Sequence, residues 1–116
     1  MVHFGVLGPD GQAVSTCLIF REDCPWDPAP GPGWHLRQMA TDPAQRGHGY
    51  AAEILVAVLD YVAARGGGVL WCYARAAAVT LYERAGLTGF GDLFVEEATG
   101  IEHLRMWRSV SPSPSL

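Results

Sequence analysis

The feature that most limits the fold of this chain is the run Gln45-Arg46-Gly47-His48-Gly49-Tyr50-Ala51. It follows a strand-like stretch, Trp34 to Thr41, and it opens a long segment of helical apolar periodicity. A strand that ends in a turn of small residues and passes straight into a helix leaves the first helical N–H groups without partners. Those groups, with the positive end of the helix dipole, offer a site to a phosphate or pyrophosphate. A tight strand-to-helix turn with no ligand would use the same glycines.

The remaining elements follow from local chemistry. Val2 to Leu7 and Ala13 to Arg21 read as a hairpin about the turn Gly8-Pro9-Asp10-Gly11. Cys24 to Gly33 is a Pro/Gly loop that cannot hold a regular element. Trp34 to Thr41 is a third strand, broken by Asp42-Pro43-Ala44. Over Gly49 to Arg65, Ile54, Leu55, Val58, Leu59 and Val62 form one apolar stripe of a helix, which Gly66-Gly67-Gly68 ends. Val69 to Tyr73 suits a buried parallel strand, and Ala76 to Ala85 a second helix closed by Gly86. Gly91 to Glu96 and Glu102 to Trp107 read as a last hairpin turning near Thr99-Gly100. The strand–helix–strand unit should be a right-handed crossover between parallel strands. With antiparallel hairpins on either side, the class is α/β (α+β), a mixed and mostly antiparallel sheet with a central parallel β-α-β unit. We expect one domain over residues 1–108 and a flexible polar tail over 109–116.

Composition removes several function classes. The net charge of −4 comes without a Lys/Arg cluster, which argues against a nucleic-acid partner. No apolar run reaches membrane-spanning length, and the first residues lack the pattern of a signal peptide. Cys17, Cys24 and Cys72 are odd in number, widely spaced and form no C-x-x-C pair, so the expected home is a reducing cytoplasm without disulfides. His3, His35, His48 and His103 are scattered, and no metal site is expected.

The glycine turn is not a P-loop, because no Gly-Lys-Ser/Thr follows Gly49. Nor is it a dinucleotide fingerprint, since the next strand ends at Ala74-Arg75 without a carboxylate. Arg46-Gly47-His48-Gly49-Tyr50-Ala51 does match the Arg/Gln-x-x-Gly-x-Gly/Ala signature of the GNAT N-acetyltransferase superfamily. Leu36 to Pro43 resembles the strand before that signature, and Leu70 to Arg75 the strand after it. Ala78 to Leu87 is similar to the "A-x-x-F-Y-E-x-x-G-F" helix and turn, and Gly100 to Met106 to the closing "G-x-x-H-x-x-M" strand of small bacterial members. The resemblance covers about Val2 to Arg108.

The resemblance implies acetyl-CoA as acyl donor and direct acetyl transfer to a primary amine of a small molecule or an amino terminus. The turn Arg46, Gly47, His48, Gly49, Tyr50, Ala51 would hold the pyrophosphate of coenzyme A through backbone N–H groups. In the superfamily the preceding strand splays from its neighbour, and pantetheine pairs with its backbone as an added strand would. Here those groups belong to Met39, Ala40 and Thr41, with the Met39 N–H as candidate oxyanion donor. Tyr82 occupies the position of the superfamily's general acid, which protonates the leaving thiolate. No base stands out for the incoming amine; Glu22, His35, Cys72 and His103 are the candidates, directly or through water.

Plainer readings stand beside these. Tyr82 would also suit an amphipathic helix with its hydroxyl at the surface. Arg46 can be a solvated charge, His48 an exposed rim residue, His103 a structural hydrogen-bonding group and Cys72 a packed hydrophobe. The four tryptophans fit core or interface. The chain also departs from the superfamily. The usual first strand and two helices have no counterpart, and Arg75 stands where many members have Asn, a change shared by the small bacterial group. Those helices normally wall the acceptor groove, so we expect a homodimer in which a partner covers the apolar sheet face. A non-catalytic acyl-CoA-binding or interaction module is the alternative, and a nucleotide-binding regulator using the same turn a more distant one.

Overall fold

The structure, a computed structural model, describes residues 1–26 and 31–114. Strands β1 (Val2–Leu7) and β2 (Ala13–Arg21) pair antiparallel. Their turn is closed by Gly8 N–H donating to the Gln12 carbonyl at 2.8 Å and by Asp10 Oδ1 accepting from Gln12 N–H. β3 (Gly33–Thr41) returns beside β2. Asp42 then stops the sheet: its carboxylate accepts from Ala44 N–H and caps a 3₁₀ turn over Pro43–Gln45, where proline's missing donor costs nothing.

Helix α1 (Tyr50–Ala64) starts from Gly49 in the left-handed region at φ 78°, with no side chain capping its first N–H groups. Ile54, Leu55, Val58 and Val62 lie buried against the sheet, and Leu59 packs at the edge of the same core. β4 (Gly68–Arg75) follows, longer at both ends than the apolar run alone indicated. The expected helix over 76–85 is split. A 3₁₀ turn (Ala76–Ala78) enters a short α2 (Val79–Arg84), because the extended Arg75 offers no side-chain cap and the first turn tightens instead. β5 (Thr88–Val95) and β6 (Glu102–Val110) complete the sheet, in the order β1-β2-β3-β4-β6-β5. Among the described residues only β3 and β4 run parallel.

The sheet extends further toward the C-terminus than expected. Ser109 and Val110 pair with Val69 and Gly68, Val110 is buried, and Ser113 N–H donates to the Ala63 carbonyl at 2.9 Å. Gly67 permits this close approach, since a Cβ there would meet the Val110 carbonyl. Residues 27–30 of the Pro/Gly loop and 115–116 of the expected tail lie outside the described residues.

Successive residues of a strand face opposite sides of the sheet. Leu70, Cys72 and Ala74 of β4 join the core under α1, whereas Val69 and Trp71 form a second cluster on the far face with Trp26. Trp26 lies edge-on to Trp71 and stacks on Phe90, so part of the face expected to lie bare is covered by the chain's own loop. Tyr73 and Phe90 remain about 40% exposed there.

Candidate active site

The site grows from a failure of two strands to stay together. β3 and β4 pair at Gly33–Val69, Trp34–Leu70 and His35–Trp71, and then the ladder stops. The cause lies on the other side of β3. Between Thr16–Ala40 and Leu18–Arg37, the residues Gln38 and Met39 oppose the single Cys17, which is a β-bulge. Gln38 takes a φ of 57° and is the one non-glycine residue with positive φ among those described. A bulge bends its strand, and β3 turns away from β4. Its outer edge then presents backbone N–H and C=O groups with no strand beside them.

Two cavities meet in this gap. The larger, about 580 Å³, runs between the end of β3, the glycine turn, the start of α1 and the 3₁₀ turn before α2. Met39, Ala40, Thr41, Arg46, Gly47, Tyr50 and Ala51 line it, together with Gln45, Arg75, Ala77, Ala78 and Leu81. His48 and Gly49 belong to the turn but not to the cavity wall; His48 is exposed, with its ring 5.7 Å from that of Tyr50. Gly47 and Gly49 have φ of 85° and 78°, and a Cβ on either would meet nothing within 4 Å. Backbone conformation therefore demands glycine at both, and the space outside them stays open.

The smaller cavity, about 290 Å³, passes through the gap itself. Leu36, Cys72 and Tyr82 line it from the α1 side of the sheet, and His35 and Tyr73 from the far side. Met39, Arg75 and Ala78 border both cavities. Glu96, Thr99, Ile101 and His103 close it from the β5–β6 hairpin. His103 and Arg75 stand out in the sequence, whereas Ala77, Leu81, Glu96, Thr99 and Ile101 carry no local signal, because only the folding of distant segments brings them to the gap.

Tyr82 is 4% exposed on α2. Its hydroxyl has no hydrogen-bond partner among the described residues, yet it is not sealed from solvent. Burial pushes its phenol far above the ordinary range, the neighbouring Cys72 and Cys17 add to this, and Arg75 opposes it. Tyr82 therefore stays protonated at any physiological pH. Burial likewise raises the Cys72 thiol to about 12, so Cys72 is a packed thiol and a poor base.

Two histidines flank the smaller cavity. Nδ1–H of His103 donates to the Ile101 carbonyl at 2.9 Å, and its Nε2 lies 3.7 Å from Glu96 Oε2. His35 stacks on Trp71 with centroids 3.8 Å apart, and its Nδ1 lies 2.8 Å from Glu22 Oε2. Burial lowers the His35 pKa, and Glu22 pulls against that. Among the described residues no cluster of three or more His, Cys, Asp or Glu could hold a metal ion, and no helix is long and apolar enough to cross a membrane.

A mixed sheet that opens between the parallel strands β3 and β4, beside a glycine turn at a helix start, defines the acyl-CoA N-acyltransferase class of fold. The acetyltransferase (GNAT) family model matches residues 2–87, and the chain belongs to that family. Solved structures share the fold. The histone acetyltransferase HPA2 and related acetyltransferase from Corynebacterium glutamicum matches at 22% identity and TM-score 0.69, over 97% of this chain and 65% of its own. An alanine N-acetyltransferase of a ribosomal protein from Escherichia coli matches at 19% identity and TM-score 0.71, over 98% and 72%. An aminoglycoside 6'-N-acetyltransferase complexed with coenzyme A matches at 13% identity and TM-score 0.72, over 97% and 74%. This chain thus spans about 65% of the length of the Corynebacterium protein. No curated protein matches the chain.

Proposed function

We propose that this chain is an acetyl-CoA-dependent N-acetyltransferase. Acetyl passes directly to a primary amine, of a small molecule or an amino terminus, in a ternary complex. The observation that carries the reading is the divergence of β3 from β4 beyond His35 and Trp71, with two cavities meeting at Met39, Arg75 and Ala78. The larger cavity suits the donor. Its glycine turn and uncapped α1 terminus present N–H groups to a pyrophosphate, and the free β3 edge at Met39, Ala40 and Thr41 suits the pantetheine amides. The smaller cavity suits the acceptor, which would meet the thioester where the two join.

In this reading the amine nitrogen attacks the thioester carbonyl, and the Met39 N–H stabilises the oxyanion. The C–S bond then breaks, and Tyr82 gives its proton to the thiolate. Its buried, protonated phenol in the cavity wall supports that role. The apolar groups left exposed, among them Tyr73, Phe90, Leu93 and Val95, support a homodimer, and the buried thiols of Cys17 and Cys72 a reducing cytoplasm.

A thermal shift with CoA, acetyl-CoA and ATP tests the donor site. A ligand bound only by the folded state raises stability by roughly 3 kcal/mol at a hundredfold excess over Kd. Both CoA species should raise Tm and ATP should not. Mass spectrometry of an amine panel then tests transfer. CoA binding with no acetylated product from any amine would leave a non-catalytic acyl-CoA-binding module, and an ATP shift would favour a nucleotide-binding regulator.

A further inference from the structure

We infer that His35 is the general base for the incoming amine and that Glu22 is its positioning residue. The inference rests on the acyltransferase reading and supplies the base that reading lacks.

Nδ1 of His35 and a Glu22 carboxylate oxygen are 2.8 Å apart. A carboxylate can only accept, so the shared proton sits on Nδ1 and the lone pair of the neutral ring sits on Nε2. Nε2 has no hydrogen-bond partner among the described residues and is not sealed from solvent. His35 lines the same cavity as Met39 and Tyr82. The free lone pair therefore belongs to the cavity in which the amine would meet the thioester.

The arrangement is rigid. His35 stands on the last β3 position paired to β4, just before the strands part, and its ring lies flat on Trp71. Trp71 Nε1–H donates to the Glu22 carbonyl at 2.8 Å, and Glu22 N–H donates to the Gly33 carbonyl at 3.2 Å. Glu22 is thus held by the same two strands that carry His35. A nucleophile, a base and an acidic residue orienting the base form a recurring arrangement in proton-transfer sites.

The alternatives fit less well. His103 is held at both ring nitrogens, Nδ1 on the Ile101 carbonyl and Nε2 facing the Glu96 carboxylate at 3.7 Å. Cys72 is a buried thiol. The groups facing His35 are Glu22 from the loop after β2, Arg37 from β3 itself and Tyr73 from β4; Phe20 and Trp71 do not titrate. Burial lowers the His35 pKa, which keeps the ring neutral and ready to accept at neutral pH.

The protons balance. An alkylammonium gives one proton to His35 Nε2, and the imidazolium is paired with Glu22. The freed lone pair forms the N–C bond. As the C–S bond breaks, the thiolate takes a proton from Tyr82, and the second N–H proton lost as the amide forms restores Tyr82. His35 returns its proton to water.

The test uses the whole chain, acetyl-CoA and one alkylamine. His35→Gln should lower kcat/KM by about a hundredfold, within the range for general base catalysis. It should also abolish the acid limb that separates His35 from the acceptor's own ionisation. Glu22→Gln should move that limb to lower pH, because the imidazolium loses its counter-charge. A weakly basic amine that arrives neutral should recover most of the His35→Gln loss, and the Tm shift with CoA should be unchanged in both variants. Nitrogen-15 spectra of the unmodified protein provide a readout free of activity: neutral His35 should carry its proton on Nδ1. An Nε2–H tautomer, or an unchanged acid limb in His35→Gln, would overturn the inference while leaving the transferase reading intact. No CoA shift and no product from the unmodified protein would remove the transferase reading and this inference with it.

Discussion

A phenol that is to protonate a thiolate must hold its proton until the thiolate exists, and burial gives Tyr82 that property. Tyr82→Phe keeps the ring in the core, so its expected signature is kinetic: roughly a hundredfold loss of kcat with an unchanged Tm shift from CoA. Stopped-flow thiol release would read it. Burial acts similarly on the cysteines, raising Cys17 and Cys72 from 9.0 to about 12. In the unfolded chain these thiols, and the Tyr82 phenol, ionise near their ordinary values. Above about pH 9 the unfolded state therefore binds fewer protons than the folded one, and stability falls as pH rises. Tm should decline steadily from about pH 9 to 12. A Cys17→Ala, Cys72→Ala pair should flatten that decline, and an unchanged slope would refute the assignment. On native alkylation Cys17 and Cys72, both buried, should label only on unfolding.

The elements were mostly legible because each carries its own punctuation. Asp42-Pro43 ends β3, Gly66 to Gly68 end α1, and the Gly8-Pro9-Asp10-Gly11 turn sets the first hairpin. α2 is shorter than its sequence indicates because a run of alanines favours a helix without specifying which turn, α or 3₁₀, begins it. β6 runs past Trp107 because β4 across the sheet makes a strand of Ser109-Val110, which by itself looks like the polar tail that follows. The packing that admits it can be tested. Gly67→Ala forces a non-glycine into φ 72° and drives a Cβ into Val110, so it should cost at least about 1–3 kcal/mol in urea unfolding. A Cβ on Gly49 would meet nothing within 4 Å, but φ 78° disfavours a β-branched residue, so the penalty of Gly49→Val is backbone strain at the start of α1. It should weaken the CoA shift more than it lowers the Tm of the free protein.

At the scale of the molecule, the far face of the sheet depends on one loop residue. Trp26 buries Trp71 and lies against Tyr73 and Phe90. Removing its side chain strips cover from the cluster that supports His35, so Trp26→Ala should cost about 3–5 kcal/mol by the usual toll of a large core truncation. It should also red-shift the tryptophan emission. Light scattering reads the proposed homodimer: a mass near twice the 12.5 kDa of the chain supports it, and a monomer at micromolar concentration ends it.

The sequence by itself determined the alternation of elements, the glycine turn and the candidate donor-site residues from Met39 to Ala51. Each of these is written within a few consecutive positions, as periodicity, turn chemistry or motif. The tertiary structure decided the rest. It places Tyr82, His35 and the β5–β6 hairpin around one cavity, and it draws Glu22 onto His35 across 13 positions of chain. It also opens the gap through a bulge at Gln38-Met39, where one strand carries a residue more than its neighbour. Such a mismatch is a relation between two strands. No local pattern in either one encodes it, because register is settled only when both are laid side by side.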